Sequence, residues 1–566
     1  MNKIWKIYDT DPRLQSVLGD KLGITPVFAQ LLLNRGIKTV EQAQFFLFGG
    51  LSSCYDPFLM KDMDKGVERI KRAISAGEKI LIYGDYDVDG VTSTALLSYI
   101  FDELGADYET FIPNRLEDGY GMNVRAVALA REDGVGLIVT VDCGINSFHE
   151  IECANSYGID VVVTDHHEIK GEELPPAYAV IDTHRPDCGY PFKGLAGVGI
   201  AYKLAKALMS GREDEVDKHL DLVALGTVAD VAPMTGENRI LTKAGLKMMK
   251  TTSKCGLSAL MKVARIQPEA LTCRHIAFGL APRINAMGRV GSANTALDLL
   301  MCTDSGRACD IASELDRENK NRQSIEKELL SRVMEHVGDG ALAQRDGIIV
   351  LAGELWHPGV LGIVASRLVD AYDVPAILIS LKDGAGKGSG RSARGINLFE
   401  VINKAKEYLV SFGGHESACG LKIKKENIDN FREAVSVAVK KRTIDTKIRE
   451  PELEVDMNLP FSHVGAKLIG ELQLLMPYGP ENSEPVFATH DINVKNTPRD
   501  IGRSGFKFLA KCGNLTCEAV TFAGKRVKKP RRGSTINLAY TPSINSWEGI
   551  DTIQLNIRDL QVVSSA

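Results

Sequence analysis

Short apolar runs, three of which end on acidic residues, set the tightest limit on how this chain folds. KILIY (79–83) runs into GDYDVDG, GLIVTV (136–141) into Asp142, and DVVVT (160–164) into Asp165-His166-His167; AYAVI (177–181) follows. Val- and Ile-rich runs of this length, alternating with amphipathic helical patterns, describe buried parallel strands with crossover helices. The predicted fold class is therefore α/β. Ligands bind an open parallel sheet at the carboxyl ends of its strands. Asp85, Asp87, Asp89, Asp142, His166 and His167 are thus expected at one edge, with Asp230 of LGTVADV as a further candidate from a helical region.

A single Asp after a strand is ordinarily a helix N-cap, and Asp89, just before GVTST, suits that role. A single His is ordinarily structural. So many acidic and imidazole groups at one edge, however, repel one another unless a cation lies between them. Carboxylates with one or two imidazoles suit Mn²⁺ or Mg²⁺ better than a thiolate-held Zn²⁺, and imidazole tilts the choice towards Mn²⁺. The donor count suggests two ions sharing a carboxylate. Such a pair, ~3.5–4 Å apart, activates water and stabilises charge on a phosphoryl oxygen, which points to phosphoester hydrolysis. Cys143, with no second thiolate nearby, reads as a small packed residue.

The 566 residues suffice for three or four domains. Hydrophobic residues at 44% and charged residues at 25% exclude a disordered or fibrous chain. No apolar run reaches the ~18 residues of a membrane span, and MNKIWKIYDTDPRL lacks the apolar core of a secretory signal. Eleven Cys without a CxxC pair make a disulfide framework or zinc ribbon unexpected and fit reduced, cytoplasmic thiols. The expected organisation is an N-terminal helical extension (1–75), an α/β domain with a helical C-terminal part (76–300), a connecting helix (301–340), a second α/β domain (341–445) and a small barrel (446–566). The connecting helix is read from Ala308, Ile311, Ala312 and Leu315, with Leu329, Leu330, Val333 and Val337 resuming that face after a polar, exposed middle; it ends near Gly338. The second α/β domain contains a Gly/Ser/Arg-rich loop, GAGKGSGRSARG (384–395). Five or so short strands without helices between them suggest an oligonucleotide-binding (OB) barrel for 446–566.

GDYDVDG, VDCG, TDHH and VADV together resemble the four signature motifs of the DHH phosphoesterase superfamily. AGVGIAYKL (196–204), GLAPRINAMGRV (279–290), WHPGVLGIVASRL (356–368), GSGRSARG (388–395) and FGGHESACG (412–420) extend the likeness over nearly the whole chain. They are similar to the single-strand-specific DNA exonucleases of that superfamily. The resemblance implies a DHH domain, a DHH-associated domain joined to it by a long helix, and a C-terminal OB-like domain. It implies 5′-to-3′ hydrolysis of single-stranded DNA to 5′ mononucleotides by a two-metal mechanism, with Mn²⁺ or Mg²⁺, in DNA repair and recombination. Partners would be single-stranded DNA with a 5′ end, a single-strand-binding protein and a RecQ-like helicase, without a membrane. By the same resemblance Asp85, Asp87, Asp89, Asp142, His166 and Asp230 correspond to metal positions, and His167 to the second His of its motif. Met287 and Cys419 stand where relatives often carry small residues.

Ser389, Arg391 and His415 are candidates for holding the substrate phosphate; a flexible linker and a packed loop histidine are the alternatives. The resemblance places Arg115 at a family position that faces the 5′ end; the alternative is an exposed turn residue. Arg283 and Arg289 either contact phosphates or brace a helix junction, and Trp356 and His357 lie near the site or in the second core. Net charge is −5, yet residues 495–532 hold eleven Lys and Arg against Asp500 and Glu518. With Phe506, Phe508 and Phe522 this suits a single-strand groove, unless the rings form the barrel core. Related phosphoesterases acting on short oligoribonucleotides or cyclic dinucleotides are usually shorter, and a pyrophosphatase would carry a different basic motif. A non-catalytic scaffold would have lost Asp87, Asp142 or His166.

Overall fold

The computed structural model describes residues 3–114, 119, 121–171, 173–338, 340–393, 395–445, 452–502, 505–522, 527–547 and 550–564. The chain opens with β1 (Ile4–Ile7), α1 (Pro12–Leu22), α2 (Pro26–Asn34) and α3 (Val40–Phe48). Asp11, Thr25 and Thr39 cap the three helices through their side-chain oxygens. These elements are not an independent helical extension. β1 pairs in parallel with the strand Glu452–Val455, and Leu18, Phe28, Leu31 and Leu32 share one core with Phe461, Leu468, Phe487 and Phe508 of the C-terminal region. Three short amphipathic helices bury too little surface alone, so they close over the barrel.

The first α/β domain has five parallel strands, β2 (Ile80–Tyr83), β3 (Tyr108–Phe111), β4 (Leu137–Val141), β5 (Asp160–Thr164) and β6 (Ala179–Ile181), in the order β3-β2-β4-β5-β6. β3 escapes a reading of the sequence because YETF is only half-buried at the sheet edge and carries no apolar run. α4 (Val88–Leu104), α5 (Gly197–Leu208), α6 (Leu220–Ala229) and α7 (Ala281–Val290) pack beside one another in the largest core. α8 (Ser305–Val337) is the connecting helix, capped by Asp304 and stopped at Gly338 with φ 59°. Its polar middle is not wholly exposed as expected: Asn319 and Glu326 are buried, and Glu326 takes Arg322 and Arg367 as partners. The apolar stripe is thus carried across the middle by paired polar groups.

The second α/β domain comprises β7 (Ile349–Glu354), α9 (Leu361–Tyr372), β8 (Ala376–Lys382), β9 (Ala385–Arg391), β10 (Leu409–Gly414) and β11 (Ala418–Lys424), ordered β10-β11-β9-β8-β7. Here the Gly-rich loop expected at 384–395 is corrected. Ala385–Arg391 is a strand with ladder partners on both sides. Its glycines alternate with Lys387, Ser389 and Arg391, so Gly386, Gly388 and Gly390 line one face. A Cβ on Gly388 would lie 2.7 Å from Leu421 and 3.2 Å from Ile379, and one on Gly390 2.9 Å from Leu398. Facing side chains fill the space these residues leave.

β12 (Glu452–Val455), β13 (Met457–Asn458), α10 (Ala466–Leu474), β14 (Phe487–Val494), β15 (Arg499–Ile501), β16 (Gly505–Cys512), β17 (Leu515–Thr521), β18 (Thr535–Trp547) and β19 (Ile550–Ser564) complete the chain. Seven strands run β13-β14-β18-β19-β17-β16-β15, and pairing of β14 with β16 closes the barrel. α10 precedes the five predicted strands, which have no helix between them among the described residues, and it packs against the N-terminal helices, partners that a local reading does not reveal. Phe506 and Phe508 are core residues, whereas Phe522 is exposed. No single helix among the described residues is long and apolar enough to cross a membrane. Gly388→Val should destabilise the protein by about 1–3 kcal/mol through overpacking against Leu421. Urea unfolding tests this, and an unchanged midpoint would remove the packing role of the glycine row.

Candidate metal centre

The first sheet delivers its polar residues to one edge. Asp85 and Asp87 lie in the turn between β2 and α4, Asp89 in the first turn of α4, Asp142 directly after β4, His166 and His167 after β5, and Asp230 at the end of α6. Donor atoms fall within 4.8 Å of one another in three overlapping sets: Asp85, Asp87 and Asp142; Asp89, His166 and Asp230; Asp142, His166 and His167. All seven predicted residues are brought together. His166 Nε2 lies 3.0 Å from Asp142 Oδ1, 3.7 Å from Asp89 Oδ2 and 3.9 Å from Asp230 Oδ2.

The capping role expected for Asp89 falls to Asp87, whose Oδ1 accepts from the Asp89 and Gly90 amides. Asp89 caps α5 instead, accepting from Gly197 N at 2.7 Å and Val198 N at 2.8 Å. This ties the metal loop to AGVGIAYKL. Gly197 is required there because a Cβ would sit 2.6 Å from Asp142 Oδ1. Asp142 and Val231 hold left-handed backbone at φ 60° and 63°, the latter unusual for a β-branched residue. Strain of this kind persists at sites the surrounding fold over-determines.

Asp165 is not among the predicted site residues, yet it organises the imidazoles. It is buried, takes the Ile145 amide on Oδ2 at 2.9 Å and the His166 amide on Oδ1 at 2.7 Å, and pairs with His167 Nδ1 at 2.7 Å. Its position at a strand end is visible in the sequence; its orienting role follows only from the loop that folds back from Gly144. His166 Nε2 is buried and has no hydrogen-bond partner. This atom faces Asp142, Asp89 and Asp230. Cys143 is fully buried, as expected of a packed residue.

Electrostatics then test the donors. Two carboxylates ~4 Å apart repel by about 4 kcal/mol even at an effective dielectric constant of ~20. Burial, then Asp87, pushes Asp89 up to about 7; burial, then Asp89 and Asp87, pushes Asp230 up to about 9. Asp142 is raised well above the carboxylate range by burial and by Asp89, Asp87, Asp85 and Asp230. Burial lowers His166 to about 4, so it is a neutral donor. Burial lowers His167, but its bond to Asp165 and the charges of Asp165, Asp230 and Asp85 together prevail and bring it up to about 9. Asp142 Oδ1 and His166 Nε2 are buried without hydrogen-bond partners although 3.0 Å apart. Two facing lone pairs at that spacing, set among oxygen donors, fit a hard divalent cation, for which octahedral arms are ~2.1 Å.

The predicted substrate residues are distributed over both α/β domains. Ser389 and Arg391 lie together on β9, with Arg391 Nη1 donating to Ser389 Oγ at 3.3 Å and to Gly390 O at 2.8 Å. Both flank the first turn of α9, where a Cβ on Gly362 would meet Arg391 Nη2 at 2.7 Å and Ser389 Oγ at 3.0 Å. His415 is exposed in the β10–β11 turn, at the same sheet end. Arg289 donates to Gly359 O at 3.1 Å across the domain junction, and His357 Nδ1 accepts from the Gly359 amide. Trp356 is half-buried against the second domain's core. Arg283 is engaged by Asp316 at 2.7 Å and Gly279 O at 2.5 Å, the bracing arrangement. Arg115 lies outside the described residues, as do Arg503, Lys525 and Arg526 of the basic barrel face. Lys511, Lys528, Lys529, Arg531 and Arg532 are exposed there.

Three family models match successive parts of the chain: DHH family, N-terminal domain, at 79–227; DHHA1 domain at 345–441; and RecJ OB domain at 455–559. The single-stranded-DNA-specific exonuclease RecJ of Bacillus subtilis (strain 168) is 38% identical over 563 residues, covering 99% of this chain and 71% of that one. Its Escherichia coli (strain K12) counterpart is 32% identical over 564 residues, covering 95% and 96%. A crystal structure of RecJ in complex with Mn²⁺ from Thermus thermophilus superposes with a TM-score of 0.85 at 29% identity, covering 99% of this chain and 80% of that one. The same protein in complex with Mg²⁺ gives a TM-score of 0.79.

Raised carboxyl pKa values mean that the metal-free centre carries protons at neutral pH, so cation binding must displace them. Mn²⁺ affinity is expected to rise from about pH 6 to about pH 9, through the values of Asp89 and Asp230. Calorimetry in buffers of different ionisation enthalpy should detect proton release near neutral pH. A pH-independent affinity would refute the shared carboxylate cage. Asp165→Asn should weaken Mn²⁺ binding about 10- to 100-fold by loosening the turn whose His166 amide it holds.

Proposed function

Because this chain belongs to the RecJ family of single-stranded-DNA-specific exonucleases, we propose that it hydrolyses single-stranded DNA from the 5′ end and releases 5′ mononucleotides. The observation that carries this reading is the direct bridge between the carboxylate centre and the Ser389–Arg391 pair. α7 ends against the metal loop, where a Cβ on Gly288 would lie 2.8 Å from Tyr86 O, and its Arg289 bonds Gly359 beside α9. If the carboxylate centre cleaves and the Ser389–Arg391 pair takes the terminal phosphate, this link sets the spacing that an enzyme measuring from a terminus needs.

Asp85, Asp87, Asp89, Asp142, His166 and Asp230 would hold two Mn²⁺ or Mg²⁺ ions, with Asp142 common to two of the donor sets. When bound, the cations activate water and neutralise charge developing on the phosphoryl oxygens. Asp165 keeps His167 oriented and protonated at Nδ1 and holds the His166 amide, so that His166 Nε2 faces the carboxylates. Ser389 and Arg391 bind the terminal phosphate, for which a guanidinium fork is suited; His415 and Arg115 are proposed to line the same end. The barrel's basic face holds the strand beyond the cleavage centre. In the cell we place the protein in the cytoplasm, acting in repair and recombination on strands that a RecQ-like helicase opens and a single-strand-binding protein covers.

With end-labelled oligonucleotides and Mn²⁺, the wild type should release mononucleotides from the 5′ end of single-stranded DNA. Activity confined to very short RNA or cyclic dinucleotides would refute this reading. Asp142→Ala should leave a folded protein without measurable hydrolysis. Arg391→Ala should raise KM for 5′-phosphorylated strands by about 10-fold, the loss of a charge-assisted pair, with no effect on strands lacking that phosphate. The barrel is best probed by Lys528→Glu with Arg531→Glu, because deleting residues 451–566 would also strip the core shared with α1–α3. That double variant should weaken long-strand binding and flatten its salt dependence.

A further inference from the structure

The segment preceding α7 carries a feature that the proposed cleavage does not use. Residues 276–280 form a single π-helical turn, in which Ile276 and Leu280 are fully buried while Phe278 is 77% exposed. Isolated exposed apolar residues are ordinary, but π-turns occur disproportionately at functional sites, and this ring does not stand alone. The Arg274 guanidinium lies 5.7 Å from its centroid. Ile266 packs against Gly279, bringing exposed Arg265, held at φ 57°, beside the same turn. Residues 262–278 contain Lys262, Arg265 and Arg274, all exposed, against Glu269 as the only carboxylate.

We propose that Phe278 and Arg274 form an outlying subsite for single-stranded DNA, with Phe278 stacking on a base and Arg274 and Arg265 facing the backbone. The inference rests on the nuclease reading above and extends it to a strand position several nucleotides from the cut. Charge complementarity selects a polyanion as occupant, and an exposed aromatic beside cations is the composition that grips single strands irrespective of sequence. Position supports it. The π-turn runs directly into α7, a helix of about 15 Å by its ~1.5 Å rise, whose far end abuts Tyr86 of the metal loop. Arg283 pins the junction by bonding Gly279 O and Asp316, so the ring is presented from a rigid element.

Equilibrium binding of fluorescein-labelled single strands, in EDTA so that no cleavage intervenes, reads the subsite independently of hydrolysis. Phe278→Ala should weaken binding of a twenty-nucleotide strand by about 5- to 150-fold, the range of one lost stacking contact. Phe278→Trp should restore it, and Arg274→Ala should reduce the salt slope by about one. Dinucleotide hydrolysis with Mn²⁺ should be unchanged in all three variants, because a dinucleotide does not reach from the centre to the ring. Unaltered long-strand affinity in Phe278→Ala would overturn the proposal, as would an equal loss of dinucleotide hydrolysis, which would mark a structural role. A wild type that binds strands through Phe278 but cleaves none would fault the nuclease reading and leave this subsite standing.

Discussion

Repulsion among buried carboxylates is the constraint around which this protein is arranged. Asp89 and Asp142 are almost fully buried and Asp230 partly so, with His166 Nε2 directed among them. Each pair of charges at such spacing works against folding by several kcal/mol, comparable with a sizeable fraction of a domain's net stability. The neighbouring structure offsets this where it can. α5 lends two amides to Asp89, α4 lends two to Asp87, and the Ile145, His166 and His167 amides converge on Asp165. What remains is the need for divalent cations, and that need is the source of the chemistry.

The second consequence is mechanical. The two α/β domains are held at a fixed spacing by two rigid links. α8 spans the domains with caps at both ends and a paired Glu326 in its middle. α7 provides the shorter link, with Gly288 against Tyr86 and Arg289 on Gly359. On the far side, the glycine row of β9 lets the core approach one face of the strand so that Ser389 and Arg391 project from the other. Coupling of this sort travels through rigid packed elements, not through a loop.

Much of the site is legible in the sequence. Strand ends locate Asp85, Asp87, Asp142, His166 and His167 because a parallel sheet exposes one edge to ligands, and the long helix is legible from its periodic apolar face. Other features escape for identifiable reasons. AGKGSGR reads as a loop because glycine is ordinarily a breaker; its period-two alternation is present but becomes meaningful only when Leu421 and Ile379 fill the vacated side. Asp87 and Asp89 exchange the expected capping role because the amides that satisfy Asp89 come from the distant residues Gly197 and Val198. Neither β3, whose partners shield half-polar residues, nor the union of α1–α3 with the barrel has a local signal.

Read alone, the chain settles the inventory: which residue types stand at strand ends, that their charges demand a cation, and that a basic barrel follows two α/β units. Local pattern suffices for this because alternation, helical periodicity and charge are properties of neighbouring residues. Assignments come only with tertiary packing. It places Asp142 in two donor sets, makes Asp165 orient the imidazoles without adding a donor atom to those sets, and has Arg283 brace while Arg289 reaches across the junction. It also turns Phe506 and Phe508 inward while leaving Phe278 outside. Those outcomes depend on which distant backbone amide, carboxylate or apolar side chain meets each group, and that competition is settled only when the whole chain has packed.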